Sequence, residues 1–150
     1  MDEWKMKPIG YIRCRYKETK DVPKGLGTVH TMEGVLEVLP EFEKGLRDIE
    51  GFSHLMIFWI FHRAKEYELV AVNPTDGLPH GVFSTRSPRR PNPLGLTTVE
   101  LARRDGALLY LRGIDMLDGT PVIDIKPYTS SVPIDQTRRG WLEEAEKRKK

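Results

Sequence analysis

A single cysteine, Cys14, leaves this 150-residue chain without an internal disulfide or any Cys-based zinc pattern, as fits a reducing compartment. Long apolar runs are missing too. The longest, Leu55–Phe61, is far too short to span a bilayer, and the opening MDEWKMK has no apolar signal-like core. Charge of one sign is scarce: the formal net charge is +2, so no global basic field advertises nucleic-acid binding. A soluble cytoplasmic protein with no membrane partner is the expectation. Phosphate-loop and H-E-x-x-H patterns are absent. The only G-x-G, Gly25-Leu-Gly27, lacks a third glycine and opens no helix, which argues against a Rossmann site. Four histidines (His30, His54, His62, His80) match no standard ligand spacing, and no metal is expected.

What is present is a chain with 39% hydrophobic and 31% charged residues and a mean hydropathy of −0.47, as in one soluble globular domain. Its core is expected over about 5–133, with a charged C-terminal helix over 134–150. Lys7–Tyr16 reads as an opening strand with Ile9, Tyr11 (or Ile12), Cys14 and Tyr16 inward. Glu33–Leu39 is a second strand, and Pro40 opens a short helix ending near Gly51. His54–His62 reads as a strand buried on both faces. Further strands fall at Glu68–Val72, 81–85, Leu96–Arg103, Ala107–Gly113 and Val122–Lys126, with an Arg-Asp-Gly turn joining the Leu96–Arg103 and Ala107–Gly113 pair. Arg138–Lys150 is the C-terminal helix, with Trp141, Leu142 and Ala145 on one side. Strands do not alternate with long helices, so the fold class is mostly β: a small single-sheet antiparallel barrel with one or two short helices.

Between two strand patterns lies RSPRRPNPLG, with Arg86, Arg89 and Arg90 among Pro88, Pro91 and Pro93. Each proline sets φ and removes a donor, so the stretch is a stiff loop holding guanidinium forks and the Asn92 amide. Such a loop suits a carboxylate or phosphate; a solvated basic loop is the plainer alternative. A second cluster is Asp124-Ile-Lys126-Pro-Tyr128. Residues 124 and 126 share a strand face, and Tyr128 follows once Pro127 redirects the chain. These three form either a surface ion pair beside a tyrosine or an acid/base constellation. Taken alone, VPKG (Val22–Gly25), the His62-Arg63 strand end and DGTP (Asp118–Pro121) read as ordinary loop and turn.

Together, PIGYIRCRYKE (Pro8–Glu18), GLRDIEGFSHL (Gly45–Leu55), FHR (Phe61–Arg63), GVFSTRSPRRPNPLGLTTVEL (Gly81–Leu101) and LDGTPVIDIKPY (Leu117–Tyr128) resemble the TsaA-like, or TrmO, family of tRNA methyltransferases. The resemblance covers most of the chain to about Pro133. It implies a small barrel that binds S-adenosyl-L-methionine without a Rossmann domain. It also implies a homodimer that methylates N6 of N6-threonylcarbamoyladenosine next to the anticodon of tRNA. Carried over position by position, it assigns cofactor contacts to Pro23, Lys24, Gly25, His62, Arg63, Arg86, Leu96, Asp118, Gly119, Thr120 and Pro121. The family's P-[RK]-Q here reads Pro23-Lys24-Gly25, and longer members carry an additional C-terminal domain where this chain has its Arg138–Lys150 helix.

Transfer of a sulfonium methyl to nitrogen asks the protein to align donor and acceptor, which can supply about 7–11 kcal/mol of the barrier. On this reading Asp124 is the base, Lys126 sets its charge, Tyr128 positions the acceptor, and Arg90 and Asn92 contact the substrate nucleotide. The rival reading is a non-catalytic barrel that binds tRNA or a nucleotide; a carboxylate at 124 would there repel phosphate.

Overall fold

Alternating inward apolar residues close a single sheet on itself. The computed structural model describes residues 1–24, 28–129 and 132–149. Its six main strands are Gly10–Arg13 (β1), Glu33–Val38 (β2), His54–Ile60 (β3), Leu94–Asp105 (β6), Leu108–Arg112 (β7) and Pro121–Pro127 (β8). They form a closed barrel in the order β1-β2-β7-β6-β3-β8, every neighbour antiparallel. Closure leaves no free strand edge in the barrel. Two short strands, Val70–Val72 (β4) and Pro79–Gly81 (β5), pair as a separate ribbon.

Ile12, Leu36, Leu55, Ile57, Val99, Leu109, Leu111 and Val122 fill the interior, each at most 2% exposed. Burying one such side chain contributes about 1.5–3 kcal/mol. Trp59 on β3 lies opposite Gly95 on β6, and a Cβ at Gly95 would overlap the indole. The bare glycine is what lets the largest core side chain lie flat against the neighbouring strand.

Because the strands alternate in direction, β1, β3 and β7 end at one rim, where β2, β6 and β8 begin. Three loops therefore meet there: residues 14–32, 61–93 and 113–120. They are fastened to one another. Lys17 Nζ lies 2.8 Å from an Asp118 carboxylate oxygen, Arg63 pairs with Glu18 at 3.5 Å, and the Gly113 N–H donates to the Met32 carbonyl at 2.9 Å.

Several local expectations need correction. Residues 81–85 are not one strand: Gly81 ends β5, and Val82–Ser84 is a 3-10 turn. The Thr85 N–H and hydroxyl both donate to the Val82 carbonyl, so local bonds take the place of a ladder. The helix after Pro40 is two 3-10 segments, Pro40–Leu46 and Ile49–Gly51, separated by Asp48 at a φ of 72°. The β3 strand is fully buried on one face only: Leu55, Ile57 and Trp59 point inward, while Met56, Phe58 and Ile60 form a half-buried outer face. A closed barrel has one interior, so an unbroken apolar run reports outer cover as well as core. The first strand spans only Gly10–Arg13, with Ile12 rather than Tyr11 inward, and the C-terminal helix (α1) begins at Trp141 and ends at Arg148.

Candidate active site at the barrel rim

The proline-spaced loop sorts its three arginines by what surrounds them. Arg89 is paired with Glu68 at 3.1 Å and lies 3.9 Å from Glu66. Arg90 Nη1 donates to the Thr85 and Ser87 carbonyls at 3.0 and 3.2 Å, clasping its own loop. Arg86 makes no hydrogen bond or ion pair among the described residues. It faces a cleft of about 580 Å³ on the outer wall of β6, shared with His30, His54, Leu96, Thr97 and Asp115; Glu100 and Arg112, exposed and opposite each other in the β6–β7 register, are its other charged residues. A stiff loop that commits two of its arginines and leaves the third open presents one preorganised donor fork.

Asp115, which follows β7, sets a partly buried carboxylate in the cleft. Its neighbours Ile114 and Met116 are buried, which fixes the backbone on either side. Thr97 donates its hydroxyl proton to the Asp115 carboxylate at 2.6 Å and accepts from Trp59 Nε1 at 3.0 Å. Burial pushes the Asp115 carboxyl above the usual carboxylate range; the Thr97 hydroxyl and the nearby His30 and Arg86 pull it back. Nearby, Nδ1 of His30 is buried with no hydrogen-bond partner among the described residues.

All the described cofactor candidates taken from the sequence lie on the three rim loops or at the strand ends beside them. Arg86 and Leu96 line the cleft. The Lys24 carbonyl accepts from Thr28, another lining residue, while Pro23 and Lys24 are themselves exposed. Asp118, Gly119, Thr120 and Pro121 lie outside the cleft lining, in a turn fastened to β1. There Asp118 accepts from the Cys14 N–H at 3.0 Å, and the Gly119 N–H donates to the Ile12 carbonyl at 2.7 Å. His62 and Arg63 are exposed at the end of β3. Gly25 and the Gly25–Gly27 run lie outside the described residues, as does Lys150 at the end of the helix.

Asp124, Lys126 and Tyr128 stand on the outer wall. Register sets Asp124 beside Phe58 and then Leu96, and Lys126 beside Met56 and then Thr98. The Tyr128 N–H donates to the His54 carbonyl, and the Tyr128 ring meets the His54 ring edge-on at 6.4 Å. The three therefore share one sheet face with the cleft residues His54, on the adjacent β3, and Leu96 and Thr98, two strands away on β6. Asp124 is exposed, 3.5 Å from Lys126, and accepts from the Ile125 N–H. Asn92, exposed, passes its carbonyl to the Leu94 N–H.

Sequence reasoning missed Asp115, His30, His54 and Thr97 as members of one site. A signal for Asp115 existed: a lone acidic residue inside GIDML, where apolar neighbours forecast burial.

Residues 11–134 match the tRNA-methyltransferase O N-terminal domain. The chain is 47% identical over 138 residues to a probable S-adenosyl-L-methionine-binding protein of Pyrococcus abyssi, covering 91% of this chain and 75% of that one. It is 39% identical over 141 residues to the tRNA (adenine(37)-N6)-methyltransferase of Escherichia coli, covering 85% of this chain and 59% of that protein. A crystal structure of TrmO from Pseudomonas aeruginosa superposes with a TM-score of 0.75 at 35% identity, over 93% of this chain and 62% of that one. The chain thus spans about three fifths of the length of these TrmO-type relatives. Barrel, rim loops and sequence agree: this chain belongs to the TrmO family, whose N-terminal domain it carries.

Proposed function

We propose that the protein is an S-adenosyl-L-methionine-dependent methyltransferase acting on N6 of N6-threonylcarbamoyladenosine next to the anticodon of tRNA. The observation that carries this reading is Arg86, the one arginine of the proline-spaced loop with no hydrogen bond or ion pair among the described residues, in a cleft continuous with the wall that bears Asp124, Lys126 and Tyr128. The residues present fit the cofactor. Two arginines (Arg86, Arg112), two carboxylates (Asp115, Glu100), an apolar wall at Leu96 and a buried His30 ring nitrogen with no partner among the described residues match a molecule with charged, apolar and polar parts. When bound, S-adenosyl-L-methionine supplies a methyl group on a sulfonium.

The chain's own residues do the rest. Arg86 holds an anionic group, whether carboxylate or phosphate, and the stiff loop spares the cost of ordering it. Pro23, Lys24, Gly25, His62, Arg63, Leu96 and the turn Asp118, Gly119, Thr120, Pro121 complete the cofactor rim. Asp124 accepts the proton that leaves the adenine N6; Lys126, 3.5 Å away, pairs with its carboxylate, and Tyr128 positions the acceptor base. Arg90, through the donors its loop clasp leaves over, and Asn92 contact the nucleotide. The protein works in the cytoplasm as a homodimer. Residues 1–150 then form one domain, its barrel core at about 5–133 and the charged helix following.

Calorimetric titration with S-adenosyl-L-methionine, beside an Arg86→Ala variant, tests the cofactor half: about micromolar affinity is expected, lost in the variant. Transfer of labelled methyl to tRNA, with and without the threonylcarbamoyl group, tests the acceptor. Asp124→Asn is expected to bind cofactor normally while methylating about 10²–10⁴-fold more slowly. A parent-like rate in that variant removes Asp124 as the base, and cofactor binding without transfer to any tRNA favours a non-catalytic binding module.

A further inference from the structure

We propose that Arg86 and Asp115 are the two halves of a receptor for a zwitterionic α-amino acid head, Arg86 taking the carboxylate and Asp115 the ammonium. The assignment rests on the cofactor reading above, in which that head is the methionine end of S-adenosyl-L-methionine.

Arg86 and Asp115 line one cleft and are close enough for Arg86 to lower the Asp115 pKa, yet no ion pair joins them; the cleft's other two charges, Glu100 and Arg112, stand opposite each other in the β6–β7 register at its exposed side and offset one another. Elsewhere in the fold, opposite charges that meet do pair: Lys17 with Asp118 at 2.8 Å, Arg104 with Glu50 at 2.7 Å. Asp115 has a support of its own, apart from Arg86. Thr97 fixes one carboxylate oxygen, Trp59 fixes Thr97, and the Gly113 and Ile114 N–H groups both donate to the Met32 carbonyl. No side chain other than Thr97 donates to Asp115 among the described residues. Arg86 for its part is the one arginine of its loop with no hydrogen bond or ion pair among the described residues.

Charge decides which ligand suits this arrangement. A phosphate or lone carboxylate drawn to Arg86 would meet the Asp115 charge and be opposed by it. A lone cation would meet Arg86. An α-amino acid carries both charges on one carbon, so it satisfies both groups and adds no net charge to a partly buried site. Leu96 offers apolar wall for the methylenes that follow, and the orphaned His30 Nδ1 is a further polar contact for the head group.

The experiment is a ligand-by-variant titration. Parent, Arg86→Ala, Asp115→Asn and Thr97→Val proteins are each titrated with three ligands. These are S-adenosyl-L-methionine, its decarboxylated analogue, and the analogue in which a keto group replaces the amine. The parent is expected to lose about 10- to 100-fold in affinity when either head-group charge is removed. Asp115→Asn should lose about as much for S-adenosyl-L-methionine but change little for the keto analogue; Arg86→Ala should change little for the decarboxylated one. Thr97→Val, which keeps the carboxylate but frees it, should show a smaller version of the Asp115→Asn pattern. Asp115→Asn binding all three ligands like the parent overturns the proposal, as does an equal loss for all three. Parent-like binding with lost turnover does the same, since Asp115 would then be handling a proton. If the folded parent binds none of them, the cofactor reading falls, and the receptor is judged alone by NMR titration with L-methionine: shifts at the cleft that vanish in Asp115→Asn uphold it, and no shifts overturn it.

Discussion

Asp118 illustrates how much one rim carboxylate carries. It joins two loops by accepting from Lys17 and from the Cys14 N–H, and it is only one quarter exposed. The Lys17 hydrogen bond leads in holding its carboxyl below the ordinary range; burial opposes, and the Cys14 N–H and the Lys17 and Arg13 charges add to the lowering. A depressed folded pKa means the stabilisation is fully present above the unfolded value, about pH 4, and is lost as pH falls through the folded value. Asp118→Asn is therefore expected to cost about 1–2 kcal/mol at neutral pH. Below about pH 4 parent and variant should converge, and urea melts across that range measure it. The neighbouring Cys14 thiol is pushed up, chiefly by burial and also by the Asp118 charge, so it behaves as a packed thiol that bonds the Met116 carbonyl. This agrees with reading it as a core residue from its place in a strand pattern.

At the scale of elements, the β3–β6 pair links packing to the site. Trp59 lies against Gly95, and its indole N–H sets the Thr97 hydroxyl that holds Asp115. Gly95→Ala would force the indole aside and break the first link of that chain. We expect it to destabilise the fold by about 1–3 kcal/mol. Near-UV circular dichroism should report the Trp59 shift, and a folded Gly95→Ala protein with parent stability would show that the strands separate more easily than the register implies. The outer face of the same pair explains why His54–His62 reads as doubly buried. Met56, Phe58 and Ile60 are apolar and half covered, and a linear pattern cannot separate half cover from full burial.

On the scale of the whole molecule, α1 (Trp141–Arg148) closes back on the arginine loop. Trp141 stacks on His80 with ring centroids 3.8 Å apart, and its Nε1 donates to the Ser84 carbonyl, two residues before Arg86. His80 is itself held by Asp76, whose side chain is 2% exposed. Burial would raise the Asp76 carboxyl, but the Leu78 N–H, His80 and the Arg148 charge outweigh it and leave it below the usual range. Trp141→Ala is expected to cost about 1–3 kcal/mol, read from urea unfolding, and to expose the basic end of α1 to trypsin. Because Ser84 belongs to the Arg86 loop, the same variant should weaken binding at the cleft; unchanged affinity would mean that the prolines alone hold the loop.

Much of this was legible in the chain itself. Period-two alternation, Asp-Gly turns and proline spacing depend on neighbours a few residues apart, so the strands β2, β6, β7 and β8 and the stiffness of the Arg86–Asn92 loop followed from the residues alone. The TRSPRRPNPLG and DGTPVIDIKPY motifs named the family for the same reason. Only the tertiary structure decided which arginine stays open, since Glu68 reaches Arg89 across the loop and the Thr85 and Ser87 carbonyls occupy Arg90. It alone set Asp115 behind Thr97, 18 residues away in sequence, and beside His30 from another rim loop. Those contacts arise from barrel closure, which brings loops 14–32, 61–93 and 113–120 to one rim, and no local pattern encodes a pairing between segments so far apart.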